Sequence, residues 1–131
     1  TGFIDTNYEG KARAAVEALK NHDFVYLHVE AIDECSHMGR LDLKLKAIED
    51  FDKRIVGPVM DALYGKNVRF AVLPDHPVPI KLRKHTRTPV PVAICGHDIA
   101  PDNVQLYSER LATEGSLGLM KKDQLMKKLL T

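Results

Sequence analysis

The sequence predicts an α/β fold with a mostly parallel sheet flanked by helices, and three observations carry that prediction. Apolar runs recur at 24–30, 68–74 and 90–96, and the first of them, near-continuous and rich in β-branched and aromatic residues, is typical of a strand buried on both faces in a parallel sheet. Stretches with apolar residues at helical spacing precede and separate them. Strand, long helix and strand in that order predict a βαβ crossover.

The elements are read in chain order. After the turn signals at Asn7 and Gly10, "GKARAAVEALKNHD" places alanines, Val16 and Leu19 at helical spacing without an interior breaker, so a helix of about three turns should stop near Asn21. "FVYLHVE" then reads as the first strand. From Leu41 to Tyr64 the residues Leu41, Leu45, Ile48, Ile55, Val59 and Leu63 predict one long helix, kinked at Gly57-Pro58 and stopped by "GKN". "VRFAVLP" and "VPVAICG" are the second and third strands. Residues 97–118 read mostly as loop, with a short strand at 104–107. "KKDQLMKKLL" closes as a short helix starting near Lys121 and packing Leu125, Met126, Leu129 and Leu130.

The 131 residues suit a single unit, and 44% hydrophobic residues suffice for a core. With 19 basic and 18 acidic side chains spread along the chain, the net charge of +1 supplies no field suited to nucleic acid or an anionic membrane, so neither partner is expected. No apolar stretch approaches the ~20 residues of a bilayer span. Two cysteines, Cys35 and Cys95, make no disulfide framework and fit a cytoplasmic setting. The abrupt opening "TGFIDTNYEGKA" suggests a piece of a longer protein.

Chemistry is expected at strand ends, because open α/β sheets bind ligands outside the carboxyl ends of their strands. After the first strand, "EAIDECSHMG" sets Asp33 and His37 four apart, on one face of a helical turn. After the second, Asp75 and His76 are adjacent where strand gives way to loop, and His85 follows in a basic, proline-studded loop. Three imidazoles and two carboxylates suit zinc or manganese better than calcium or copper(I), and five ligands exceed one four-coordinate site. The competing reading is that each histidine is an ordinary hydrogen-bonded residue. His22, His28 and His97 are assigned no role. The chain contains no G-x-S-x-G elbow and no Walker or GxGxxG glycine loop.

At these residues, "TGFIDTNYEGKA", "FVYLHVEAIDECSHMG", "PDHPVP", "HTRTPVPVAI" and "GSLGLMKKDQLMKKLL", the chain resembles the C-terminal part of the archaeal-type cofactor-independent phosphoglycerate mutases of the alkaline phosphatase superfamily. The resemblance implies a C-terminal portion of an alkaline phosphatase-like core. It implies two divalent metal ions, manganese or zinc, with Asp33, His37 and His85 holding one and Asp75 and His76 part of the shell of the other. It also implies interconversion of 2- and 3-phosphoglycerate, a glycolytic isomerisation, through a phosphoserine. The nucleophilic serine would lie in a missing N-terminal half, so no catalytic residue is expected in this chain. Two alternatives stay open. One is a related metal-dependent phosphomutase acting on another phosphorylated metabolite, and the other is a non-catalytic fragment or metal- or phosphate-binding module.

Overall fold

The computed structural model describes residues 3–131. Contacts divide them into two compact units, the stretch up to Gly65 with Val78–His85, and Lys66–Pro77 with Thr86–Thr131.

The first unit is helical. Helix α1, Tyr8–Ala18, starts where the Asn7 side chain accepts a hydrogen bond from the Gly10 amide at 2.8 Å, and its Tyr8, Ala12 and Ala15 are buried at helical spacing. It is followed by α2, Ala31–His37, and α3, Leu41–Phe51. The long predicted helix is not continuous α-helix ahead of Gly57-Pro58. It passes through a π-helical turn at Asp52–Val56 into α4, Gly57–Ala62. Pro58 has no amide hydrogen to give the carbonyl four residues back, and its ring would crowd that carbonyl. The wider turn removes the conflict, and the Gly57 amide bonds Asp52 instead.

The π turn also explains which face is buried. Leu43, Ala47, Phe51, Ile55, Val59 and Leu63, all four apart, are buried or half-buried. A spacing of four advances about 40° per step in an α-helix, and a turn that winds less per residue takes that drift back. The predicted stripe was wrong in its first half, since Leu41, Leu45 and Ile48 are exposed. The core joins Tyr8, Ala12, Ala31, Cys35, Ala47 and Ile55. Arg54, carried by the π turn, fastens α1 to it. Its guanidinium makes two bonds to the Glu9 carboxylate, 2.6 Å and 3.0 Å, and lies 4.5 Å over the Tyr8 ring.

The predicted first strand forms no ladder among the described residues. Burial nonetheless alternates along 24–30, with Val25, Leu27 and Val29 half-buried and Phe24, Tyr26 and His28 exposed, the period of an extended segment packed on one face.

The second unit holds strands β1, Arg69–Val72, and β2, Ala93–Gly96, which pair antiparallel with Arg69 opposite Gly96 and Val72 opposite Ala93. The fold is thus a small α/β arrangement, and the mostly parallel sheet expected from the sequence is not what these residues form. Residues 73–92 contain no helix to carry a parallel crossover, and an antiparallel pair needs none. Gly96 has φ +117°, and a Cβ there would strike the Val68 carbonyl.

Residues 97–118 are not all loop. Ser108 caps a short helix, α5, Glu109–Ala112, by accepting from the Leu111 amide, and the predicted strand at 104–107 is absent. The Asp102 carboxylate accepts from the amides of Val104 and Ser116 at 2.9 Å and 2.8 Å, bonds that hold its pKa below the usual range. The closing helix α6, Gln124–Leu130, starts three residues later than predicted. It half-buries Leu125 and Leu129 while Met126 and Leu130 stay exposed. Arg69 anchors it by donating to the carbonyls of Lys128 and Leu129.

Candidate metal centre

Helix α2 begins directly after the extended segment and packs Ala31 and Cys35 into the core, which turns Asp33 and His37 toward the opposite side on one face. The Asp33 carboxylate lies 3.4 Å from His37 Nε2. The helix ends at Gly39, whose φ of +70° permits the turn. A Cβ on Gly39 would collide with the Arg83 guanidinium, so the glycine also admits the segment that completes the site.

That segment is Val78–His85. Lys44 of α3 donates to the Val78 carbonyl at 3.0 Å, and a turn in which Leu82 and Arg83 both bond the Pro79 carbonyl folds the stretch back. His85 is thereby brought to α2. Its Nε2 stands 3.1 Å from His37 Nε2 and 3.7 Å from an Asp33 oxygen. The three side chains, 48 and 52 positions apart at the extremes of sequence, offer two nitrogens and a carboxylate within 4.8 Å of one another.

The ring of His37 is oriented by the backbone. Its Nδ1 lies 2.9 Å from the Arg83 carbonyl, which can only accept, so Nδ1 carries the hydrogen and Nε2 turns its lone pair to the cluster. Such a second hydrogen bond fixes tautomer and ring plane in metal-ligating histidines. Arg83 itself holds φ +51°, an unusual backbone state for a non-glycine residue. Two ligand atoms each about 2.0–2.1 Å from a tetrahedral zinc stand about 3.3–3.4 Å apart, so separations of 3.1 Å to 3.7 Å fit a shared cation. The donor set of two imidazoles and a carboxylate suits a divalent ion of intermediate softness.

Asp75 and His76 occupy a bend in the second unit. The Asp75 carboxylate accepts from the His76 amide at 3.0 Å and lies 3.4 Å from His76 Nε2. Ser36, Ser108 and Cys35 have structural positions. Ser36 is buried and donates to the Ile32 carbonyl, Ser108 caps α5, and Cys35 is fully buried, its thiol pushed up first by burial and then by the nearby Asp42 charge. Sequence reasoning missed the Arg83 carbonyl, since every residue has one. It also missed Lys44, although a lysine at that place in the long helix offered no distinguishing signal.

A small α/β protein carrying a two-histidine, one-carboxylate cluster is by class a candidate metalloprotein. The profile of the Metalloenzyme superfamily matches residues 3–131, and the chain belongs to that superfamily. It is 52% identical over 129 residues to a 2,3-bisphosphoglycerate-independent phosphoglycerate mutase of Methanosarcina acetivorans, a match covering 96% of this chain and 32% of that relative. It is 50% identical over 133 residues to a probable enzyme of the same name from Geobacter sulfurreducens, covering 99% of this chain and 33% of the relative. The chain spans about a third of the length of these curated relatives. A solved structure of the PH0037 protein from Pyrococcus horikoshii superposes with a TM-score of 0.86 at 36% identity, over 90% of this chain and 36% of that one. No helix among the described residues is long and apolar enough to cross a membrane.

Proposed function

We propose that this chain is the metal-binding C-terminal part of a cofactor-independent phosphoglycerate mutase, a cytoplasmic enzyme that interconverts 2- and 3-phosphoglycerate. The observation that carries the reading is the Asp33, His37 and His85 cluster, in a chain about half identical to segments of proteins named for that activity. In this reading Asp33, His37 and His85 hold one divalent ion, manganese or zinc, and Asp75 and His76 contribute to a second. A bound divalent ion supplies positive charge that stabilises a phosphoryl group in transfer and eases loss of a hydroxyl proton.

The chain's own residues then bind and orient. The Arg83 carbonyl keeps the His37 lone pair aimed at the site, and the core beneath α2 fixes the spacing of Asp33 and His37. Ser36 and Ser108 are committed to backbone partners, which fits a nucleophilic serine supplied by polypeptide outside this chain. The exposed Phe24 and Tyr26 beside a ladder-free extended segment support the same conclusion. In the whole protein, residues 24–30 would join a larger, mostly parallel sheet, and the 131 residues would form part of one phosphatase-like core.

Calorimetric titration of the 131-residue chain with manganese and with zinc tests the metal assignment. About one ion per chain, lost in His85→Ala, is the expected result. Unchanged binding in that variant removes His85 from the site. For the activity, the longer protein containing this chain should interconvert the two phosphoglycerates and lose the reaction on His85→Ala. An active variant, or a wild type that acts only on another phosphorylated sugar or acid, overturns the mutase reading.

A further inference from the structure

The second unit contains a cavity of about 450 Å³ whose basic residues the ligand assignments above do not use. Asp75 and His76 stand on its wall, and so do Thr86, Arg87, Lys121 and Lys122, while part of its lining is apolar, including Val90 and Leu125. The cations come from two places in the sequence. Arg87 follows the neck where the Thr86 amide bonds the Pro77 carbonyl at 3.0 Å, and the lysines lie in the turn before α6.

That turn is specifically shaped. Lys122 adopts φ +54°, the left-handed region that a lysine rarely enters, and the Lys121 amide donates to the Gln124 side chain at 2.6 Å. None of Arg87, Lys121 and Lys122 has an acidic partner among the described residues, whereas Lys127 of α6 is paired with Asp123 at 3.0 Å. Three unpaired cations and one carboxylate, Asp75, leave the cavity wall with a formal charge of +2.

We propose that this cavity is an oxyanion subsite, with Arg87, Lys121 and Lys122 binding the phosphoryl group of a small molecule. A phosphate dianion matches the surplus charge, Arg87 offers a planar fork for two of its oxygens, and the lysines act as point charges. The apolar wall suits a short carbon skeleton. The identification of that molecule as the mutase substrate rests on the reading above. The anion site itself rests on the cavity and its charges.

The test is a titration of the 131-residue chain with inorganic phosphate, with metal removed by chelator and ionic strength held constant, followed by amide chemical shifts. Arg87→Gln and the double variant Lys121→Gln/Lys122→Gln change exposed side chains, and their amide spectra report whether the fold is kept. Each should bind phosphate about tenfold more weakly, as expected for loss of a charge-assisted hydrogen bond. Glycerate, a monoanion, should bind more weakly than phosphate. His85→Ala should lose metal binding yet keep its phosphate affinity, so a failed metal assignment and a failed anion site give different patterns. Shifts confined to residues outside the cavity, or phosphate affinity unchanged in both basic-residue variants, would overturn the proposal.

Discussion

In the helical unit Asp33 and His37 ride one turn of α2 above a core that includes Tyr8, Cys35, Ala47 and Ile55, and the His37 ring is pinned by the Arg83 carbonyl. In the hairpin unit Asp75 and His76 sit on a bend beside an open cavity and a two-stranded sheet of four-residue strands. Every buried hydrophobic side chain noted for the core lies in the helical unit or its inserted loop, and in the hairpin unit only Pro91 reaches comparable burial. The contrast teaches that candidate ligands can stand on a packed core or on a bend with little core in its own unit. The first kind of site should exist before its ion arrives.

The strongest way to break this contrast is to remove a proposed ligand from each unit. His85→Ala should lower manganese or zinc affinity of the chain by about 100-fold or more, whereas His76→Ala should change it by less than about threefold, because losing even outer-shell support costs 10–100-fold at a formed site. Equal losses by calorimetry would erase the distinction. Next in size is the core itself. Ile55→Ala, at a position 3% exposed, should cost about 2–5 kcal/mol in denaturant unfolding, and Leu125→Ala in the hairpin unit about half as much.

Gly39→Ala sharpens the comparison by loosening the helical site without touching a ligand. The positive φ alone should cost about 1–2 kcal/mol, and displacement of Arg83 should weaken metal binding roughly tenfold through His37. Full affinity in this variant would mean the Arg83 carbonyl does not orient the ring.

The smallest effect is electrostatic and is read at the Arg54 and Glu9 pair of the helical unit. The paired hydrogen bonds from Arg54 hold Glu9 well below its usual 4.5, at about 2. A carboxyl depressed in the folded state contributes stability that is fully present above 4.5 and is lost as the pH falls toward 2. Thermal midpoints measured across that window should fall less steeply for Glu9→Gln than for the unchanged chain. Parallel slopes would dismiss the Arg54 clamp as a stability element.

How much of this was legible in the sequence depends on whether the cause was local. Asp33 and His37 could be paired from their spacing because one helical turn dictates it, and His85 could be suspected from its place in a proline-rich loop. The arrangement that unites them is set by nonlocal contacts, Lys44 to the Val78 carbonyl and His37 to the Arg83 carbonyl, which no residue pattern advertises. The short helix α5 was missed although Ser108 before "ERLA" is an ordinary capping signal. The exposed faces misled most. Leu41, Leu45 and Ile48 carry the apolar periodicity of a core stripe yet face outward, and 24–30 reads as a strand buried on both sides while only one side is covered. Periodicity reports what a segment is built to bury, and these segments are built to bury more than 131 residues cover.

The bare edge at 24–30 therefore has a practical side. Its main-chain amides and carbonyls form no ladder among the described residues, and aromatic Phe24 and Tyr26 flank them, which makes the segment a template for any extended strand it meets. In a concentrated solution of this chain the nearest such strand belongs to another copy, and growth by edge addition should rise with concentration. Any polypeptide that paired with this edge would suppress that growth, so its addition should raise the concentration at which the chain stays dispersed.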